Sequence, residues 1–290
     1  MNTLNTNPPI DVMAAAADRG QRGPDRGVAQ NARSAVAAPL LKLVHADPEA
    51  SKAIADMRAA VQALEPLPDP VTAALADRRM PAATVNSLFG DVDFRVAPFE
   101  YSGKTETRAS MYPDHVTGKL GIGGKSGHIE GGLSGQVSGV CWVGTSVYSD
   151  GARPIRCAPV INWKAGWHLT VAGLPDGFFL GADPWASARG GVQIQAYDTQ
   201  GAVSPLEQRE LFNVDLRESP GPTPVSRDGW NDGTSADMNI WFDLPAGAPR
   251  WVNVLSYIDV NAAYTGASNV AAASAGLDAQ VRWIVVDWQP

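Results

Sequence analysis

The sequence predicts a mainly β protein: an antiparallel β-sandwich or jelly roll over residues 85–290, preceded by a short alanine-rich helical segment. Three observations carry this. All aromatic residues (7 Phe, 6 Tyr, 9 Trp) lie at or after Phe89, and every tryptophan lies at or after Trp142. Residues 28–88 hold neither an aromatic residue nor a glycine, while alanine recurs throughout. Beyond Phe89 the chain turns to Gly, Trp and Val in short runs that alternate apolar with polar, the period of a strand rather than a helix. Nothing in this region resembles the long helices that parallel crossovers require, so the pairing is expected to be antiparallel.

Residues 1–27 are rich in Asn, Pro, Asp, Arg and Gly without a sustained period, and are expected to form a mobile arm. A helical segment is expected over residues 28–84. Its first helix runs from Val28 towards His45 and is perturbed at Pro39, whose ring and missing N–H disturb a helix interior. Asp47-Pro48-Glu49 marks a second start: the Asp oxygen accepts from free backbone donors, and Pro loses nothing where its N–H would be unpaired anyway. Ala50, Ile54, Met57, Val61 and Leu64 then recur at spacings of three and four, one apolar stripe. Asp69-Pro70 repeats the start for a shorter helix with Val71, Ala74 and Leu75. So narrow a stripe buries little by itself, so this segment is expected to dock on the β body or on a neighbouring subunit. The stripe spans too few heptads to specify a coiled coil.

The strands follow in order. Val92, Phe94 and Val96 share a face; Trp167, Leu169 and Val171 share another, opposite His168 and Thr170. Met238, Ile240, Phe242 and Leu244 form the clearest apolar face, opposed by Asn239, Trp241 and Asp243. Val252, Val254, Ile258 and Val260 line one side of a later strand, with Trp251, Asn253, Tyr257 and Asp259 on the other. Val281–Trp288 reads as a strand with large apolar residues on both sides. The Ala/Ser/Gly stretch Ala262–Gly276 reads either as a loop or as a strand of small residues packed under a neighbour.

Charge excludes several partner classes. The net charge is −7, yet residues 1–80 balance, with two Lys and seven Arg against seven Asp and two Glu. The acidity therefore belongs to the β body, which carries no cluster of Lys and Arg of the kind a phosphate backbone requires, so nucleic acid is not an expected partner. No apolar run is long enough for a transmembrane helix. The N-terminus shows no cleavable signal peptide, which leaves the cytoplasm or a signal-independent export route.

Catalytic motifs are missing from the sequence. Gly118–Ser126 falls outside the spacing of a phosphate-cradling loop, because Lys119 shifts the first glycine and no helix can follow. The four histidines are scattered, no nucleophile elbow occurs, and Asp243, Asp259 and Asp287 are the strand-borne acids that could pair only in space. Asp228 and Asp232 suit positions one and five of a calcium loop, but Trp230 stands at position three and Asn239 where a bidentate Glu belongs. Calcium is thus the one ion with a candidate site, and an Asp/Gly turn is the plainer reading. Cys141 and Cys157 flank a turn-like Ser149-Asp150-Gly151, which allows a cross-hairpin disulfide or two buried thiols.

What remains points to recognition. Asn239, Trp241, Asp243 and Trp251, Asn253, Tyr257, Asp259 place flat aromatic surfaces beside hydrogen-bonding groups. That mixture suits a subunit interface and also a sugar. The expected function is a non-enzymatic interaction or assembly protein, a homo-oligomer or the binder of a partner protein. A lectin-like glycan-binding module is the first alternative, and a pore-forming protein using the glycine-rich segment 116–143 is the second.

Overall fold

The computed structural model describes residues 92–127, 134–173, 184–217, 223–263 and 269–288, together with the isolated Lys52. The expected arm 1–27 lies outside the described residues, as does the helical segment 28–84 apart from Lys52. The described residues form thirteen strands: β1 (Val92–Val96), β2 (Tyr101–Lys104), β3 (Ser110–Asp114), β4 (Lys119–Gly127), β5 (Ser134–Val147), β6 (Arg153–Gly173), β7 (Trp185–Asp198), β8 (Gly201–Ala202), β9 (Glu207–Arg217), β10 (Val225–Ser235), β11 (Ile240–Leu244), β12 (Arg250–Ala263) and β13 (Asn269–Trp288).

These make two sheets, antiparallel throughout. Sheet I runs β10–β6–β13–β4–β3; β11 extends the β10 edge along β6, and β1 continues the line of β4 along β13. Sheet II runs β2–β5–β12–β7–β8, with β9 also on β7. The alternation expected from the sequence decides which side chains enter the space between them. Leu120 and Ile122 of β4, Ile161 and Leu169 of β6, and Leu277 and Ile284 of β13 point inward from sheet I. Val143 of β5, Ile194 of β7 and Val254 and Ile258 of β12 meet them from sheet II. Ser126 ties the sheets at one corner, donating to the Gly135 carbonyl of β5 and accepting from the Ala262 amide of β12.

The stretch Ala262–Gly276 resolves into the end of β12 and the first half of β13. Ala271, Ala273 and Ala275 enter the core, so this half of β13 is the strand of small residues and not the loop. Strands β6 and β13 pair continuously from Asn269↔Gly173 to Trp288↔Ile155, with one bulge between Val281 and Trp283.

Glycine and aromatic residues are enriched together in the body for a steric reason. Trp142 lies over Gly103, Tyr101 over Gly144, Tyr257 over Gly191, Phe212 over Gly190, Trp167 over Gly229 and Trp230 over Gly166. Each is a directly opposed cross-strand pair. A ring laid across the neighbouring backbone needs the opposite position to lack a Cβ, and the ring in turn covers the glycine that would weaken a strand.

Candidate functional site

The sequence-derived recognition residues are divided between the two outer faces of the sandwich. Asn239, Trp241 and Asp243 sit on the outer face of sheet I, because Ile240, Phe242 and Leu244 turn inward. Trp251, Asn253, Tyr257 and Asp259 sit on the outer face of sheet II, because Val252, Val254, Ile258 and Val260 turn inward. The two sets do not converge.

The outer face of sheet II is itself buried. Val140, Trp142, Tyr197, Leu255 and Tyr257 form a second apolar cluster there, each no more than 1% exposed, with Tyr101 packed against them. Several of its polar groups are bonded within the face. Tyr101 Oη donates to Asn253 Oδ1 at 2.6 Å; Gln136 Nε2 and Asn261 Nδ2 both donate to Asp259 Oδ1 at 3.0 Å. Gln208 Nε2 donates to Tyr257 Oη, whose pKa is pushed up to about 12, first by burial. Trp251 is buried as well. None of these rings offers a free surface for a sugar to stack on, which removes Trp251 and Tyr257 from the glycan reading.

The calcium-loop reading of Asp228 and Asp232 is corrected. Residues 225–235 are a regular strand pairing with β6, not a loop. Four residues of extended chain separate the two carboxylates by about 13 Å. A calcium ion holds its oxygens at roughly 2.3–2.6 Å, so both cannot bind one ion. No group of three or more His, Cys, Asp or Glu suited to a metal occurs among the described residues.

The cross-hairpin disulfide is also not formed. Cys141 faces the core from sheet II and Cys157 from sheet I, and both thiols are free and buried. The connection between β5 and β6 carries the chain from one sheet to the other, so no hairpin brings the two together. Burial pushes the Cys157 thiol up to about 12 and Cys141 higher still; both are protonated packing groups. The segment 116–143 is likewise split, β4 in sheet I and β5 in sheet II, and those two strands do not pair as a hairpin.

The three candidate acids stay apart. Asp259 is on the buried face of sheet II, while Asp243 and Asp287 are on the outer face of sheet I. Two strand spacings and a two-residue offset put Asp243 and Asp287 about 12 Å apart, beyond the separation a glycosidase pair uses. Asp243 borders an open depression of about 410 Å³ with Arg153 and Arg250. Arg153 lies over the Trp288 ring at 4.5 Å, and Arg250 pairs with Asp198 at 3.4 Å.

Among the described residues, the outer face of sheet I carries exposed apolar and aromatic side chains at two distinct ends. At one end Phe94 (38% exposed) and Val96 (40%) stand beside the half-buried Val160, Trp283 and Val285, with Trp241 (52%) on β11 beyond Arg156. Val96 opposes Trp283, which opposes Val160, and Phe94 opposes Val285, so the patch is continuous across β1, β13 and β6. At the other end stand Trp230 (55%) on β10 and Tyr112 (56%) on β3. The period-two run Asp228, Trp230, Asp232 could have marked this strand, but its two glycines and three polar residues read as a turn.

Between Trp230 and Tyr112 lies Asp278, opposite Lys164 on one side and Gly121 on the other. Its pKa is raised to about 6, first by burial, against the pull of the Lys119 and Lys164 ammonium groups. A carboxyl raised above its unfolded value favours folding below about pH 4, and that contribution is lost as the pH rises through about 6. Asp278→Asn is therefore expected to stabilise the protein at pH 7 by on the order of 1 kcal/mol, after allowance for screening of a partly exposed group. The gain should vanish near pH 4; thermal melts at the two pH values check this, and equal melting at pH 7 would contradict it.

No family model matches this chain, and no curated protein matches it. Among solved structures, it is similar to the enzymatically active domain of tailspike protein 4 of bacteriophage CBA120, at 11% identity, with a TM-score of 0.17, over 67% of this chain and 19% of that one. An Arthrobacter globiformis T6 isomalto-dextranase matches at 10% identity and TM-score 0.12, over 68% and 34%. Infectious bursal disease virus, Gx strain, matches at 12% identity and TM-score 0.13, over 73% and 46%. The chain thus spans less than half the length of each, and the scores are far below those of proteins sharing a fold.

Proposed function

We propose that the chain is a non-enzymatic interaction protein that self-associates through the apolar end of the outer face of sheet I. The observation that carries this reading is the patch of Phe94, Val96, Trp283, Val285 and Val160, continuous across β1, β13 and β6, with the exposed Trp241 on β11 at the same end of the face beyond Arg156. A contiguous exposed apolar patch of several side chains on one face is uncommon on a monomer and marks an interface. An apolar and aromatic centre within a polar rim is the usual anatomy of such a surface.

A second copy is the occupant that the charges favour. Arg156 lies between Trp241 and Asp287 on this face, and Asp243 lies two residues further along β11. Arg156 has no ion-pair partner among the described residues. A two-fold contact repeats one patch on both sides, so a surface carrying both signs can set Arg156 against an acid of its copy. The sandwich would then serve as a scaffold that joins copies through sheet I while the buried outer face of sheet II takes no part.

Sedimentation velocity over a concentration series tests this. The full chain is expected to associate reversibly, and Phe94→Asp with Trp241→Asp to give a monomer with an unchanged melting temperature, since both side chains are exposed. A strict monomer at every concentration, or association untouched by the double variant, would overturn the proposal.

A further inference from the structure

The other end of the same face carries a different surface. Trp230 lies flat on the strand beside it: a Cβ built on Gly166 would stand 2.8 Å from both Cε3 and Cζ3 of the indole. One ring face is therefore pressed on the Gly166 backbone, and the opposite face is open, which leaves the residue 55% exposed. Asp228 and Asp232 flank the ring two residues away on its own strand, and His168 and Lys164 oppose them on β6. Neither aspartate makes a hydrogen bond or ion pair among the described residues. The cross-strand line from Trp230 continues through Gly166, Gly276 and Gly123, so no side chain on that line stands beside the ring.

The charges on this surface select the class of ligand. The three lines of cross-strand neighbours that pass through Trp230, Asp228 and Asp232 hold the carboxylates of Asp228, Asp232 and Asp278 against the ammonium groups of Lys125 and Lys164. A polyanion needs a clustered positive surface, and none is formed here. A flat, open ring encircled by both acceptors and donors matches a molecule with an apolar C–H face and a hydroxyl rim. We propose that this surface, centred on Trp230, binds a neutral oligosaccharide, one pyranose stacking on the indole and its hydroxyls bonding Asp228, Asp232, Lys164 and His168. The site is independent of self-association, since Gly276 stands about 30 Å along β13 from the apolar patch at Val285.

Isothermal titration and tryptophan emission on the full chain, with maltohexaose, cellohexaose, xylohexaose and mannohexaose as probes, decide the matter. At least one is expected to bind and shift the emission, and Trp230→Ala to weaken it about tenfold, the loss of one stacked ring with its covered area. Gly166→Ala, which lifts the ring off its seat, should also weaken binding at an unchanged melting temperature, and Trp230→Phe should restore part of the affinity. Trp241→Ala should leave binding as it was. No binding by any of the four, binding that survives Trp230→Ala, or preference for a heparin hexasaccharide that fades with added salt would each overturn the proposal.

Discussion

Trp142→Ala is expected to cost about 3 kcal/mol of stability, although its ring lies outside the main core. The indole is 1% exposed in the second cluster, beside Leu255 and Tyr257, and its six-membered ring covers Gly103. Truncating a buried Trp to Ala removes its transfer energy and leaves a cavity, together about 3–5 kcal/mol. One term opposes this. The indole Nε1 is buried without a hydrogen-bond partner, and removing an unsatisfied donor returns about 1 kcal/mol. Trp142→Phe separates the two terms, since it keeps a ring over Gly103 and removes the orphan N–H, and it should cost less than half as much. Urea denaturation of the three proteins measures both; a loss below about 1 kcal/mol for the alanine variant would mean that this face is not packed.

Gly144→Ala, a single added methyl group, is expected to cost about 3 kcal/mol, well above the typical effect of one substitution. The new Cβ would meet Asn253 Oδ1 and the Tyr101 ring at the same time. Neither neighbour can turn away cheaply, because Tyr101 Oη donates to that same Asn253 oxygen at 2.6 Å and both residues lie in the covered face. The added strain therefore comes with a weakened buried hydrogen bond. Gly151→Ala is the control: no atom lies within 4 Å of its added methyl, so a change within about 0.5 kcal/mol is expected. Equal effects from the two substitutions would show that backbone freedom, and not the ring above Gly144, sets the cost.

Strand faces were legible wherever large apolar and polar residues alternate. Ile240, Phe242 and Leu244 turn inward as their pattern implies, as do Leu169 and Val171, with Thr170 outward. Where alternation was between small residues it could not be read. Ala271, Ala273 and Ala275 differ too little from Ser274 and Gly276 for the first half of β13 to announce a face. The face shared by Val92, Phe94 and Val96 was also visible, but not its direction. It points outward because the backbone of β1 pairs with Trp283–Asp287, just past the bulge, where Ile284 and Val286 take the inward places.

The recognition residues were harder to place, for a physical reason. Trp and Tyr signal contact with something, and sequence does not say whether that is a ligand or the protein's own glycines. Tyr257 covers Gly191 and is consumed within the molecule; Trp230 covers Gly166 with one face only and keeps the other. The distinction is which sheet face the strand presents, and that depends on pairing between residues more than a hundred positions apart, such as Tyr257↔Val140.

That same pairing orders the birth of the molecule on the ribosome. The centre of each sheet is supplied by the last two strands in chain order, β12 between β5 and β7, and β13 between β6 and the line of β1 and β4. Strands made earlier emerge with their central neighbours still unsynthesised, so neither sheet can close during most of translation. At about 5–20 residues per second, the nascent chain carries unpaired edges and uncovered Trp and Val side chains for many seconds before β13 arrives. Non-local pairing of this kind also folds slowly once complete.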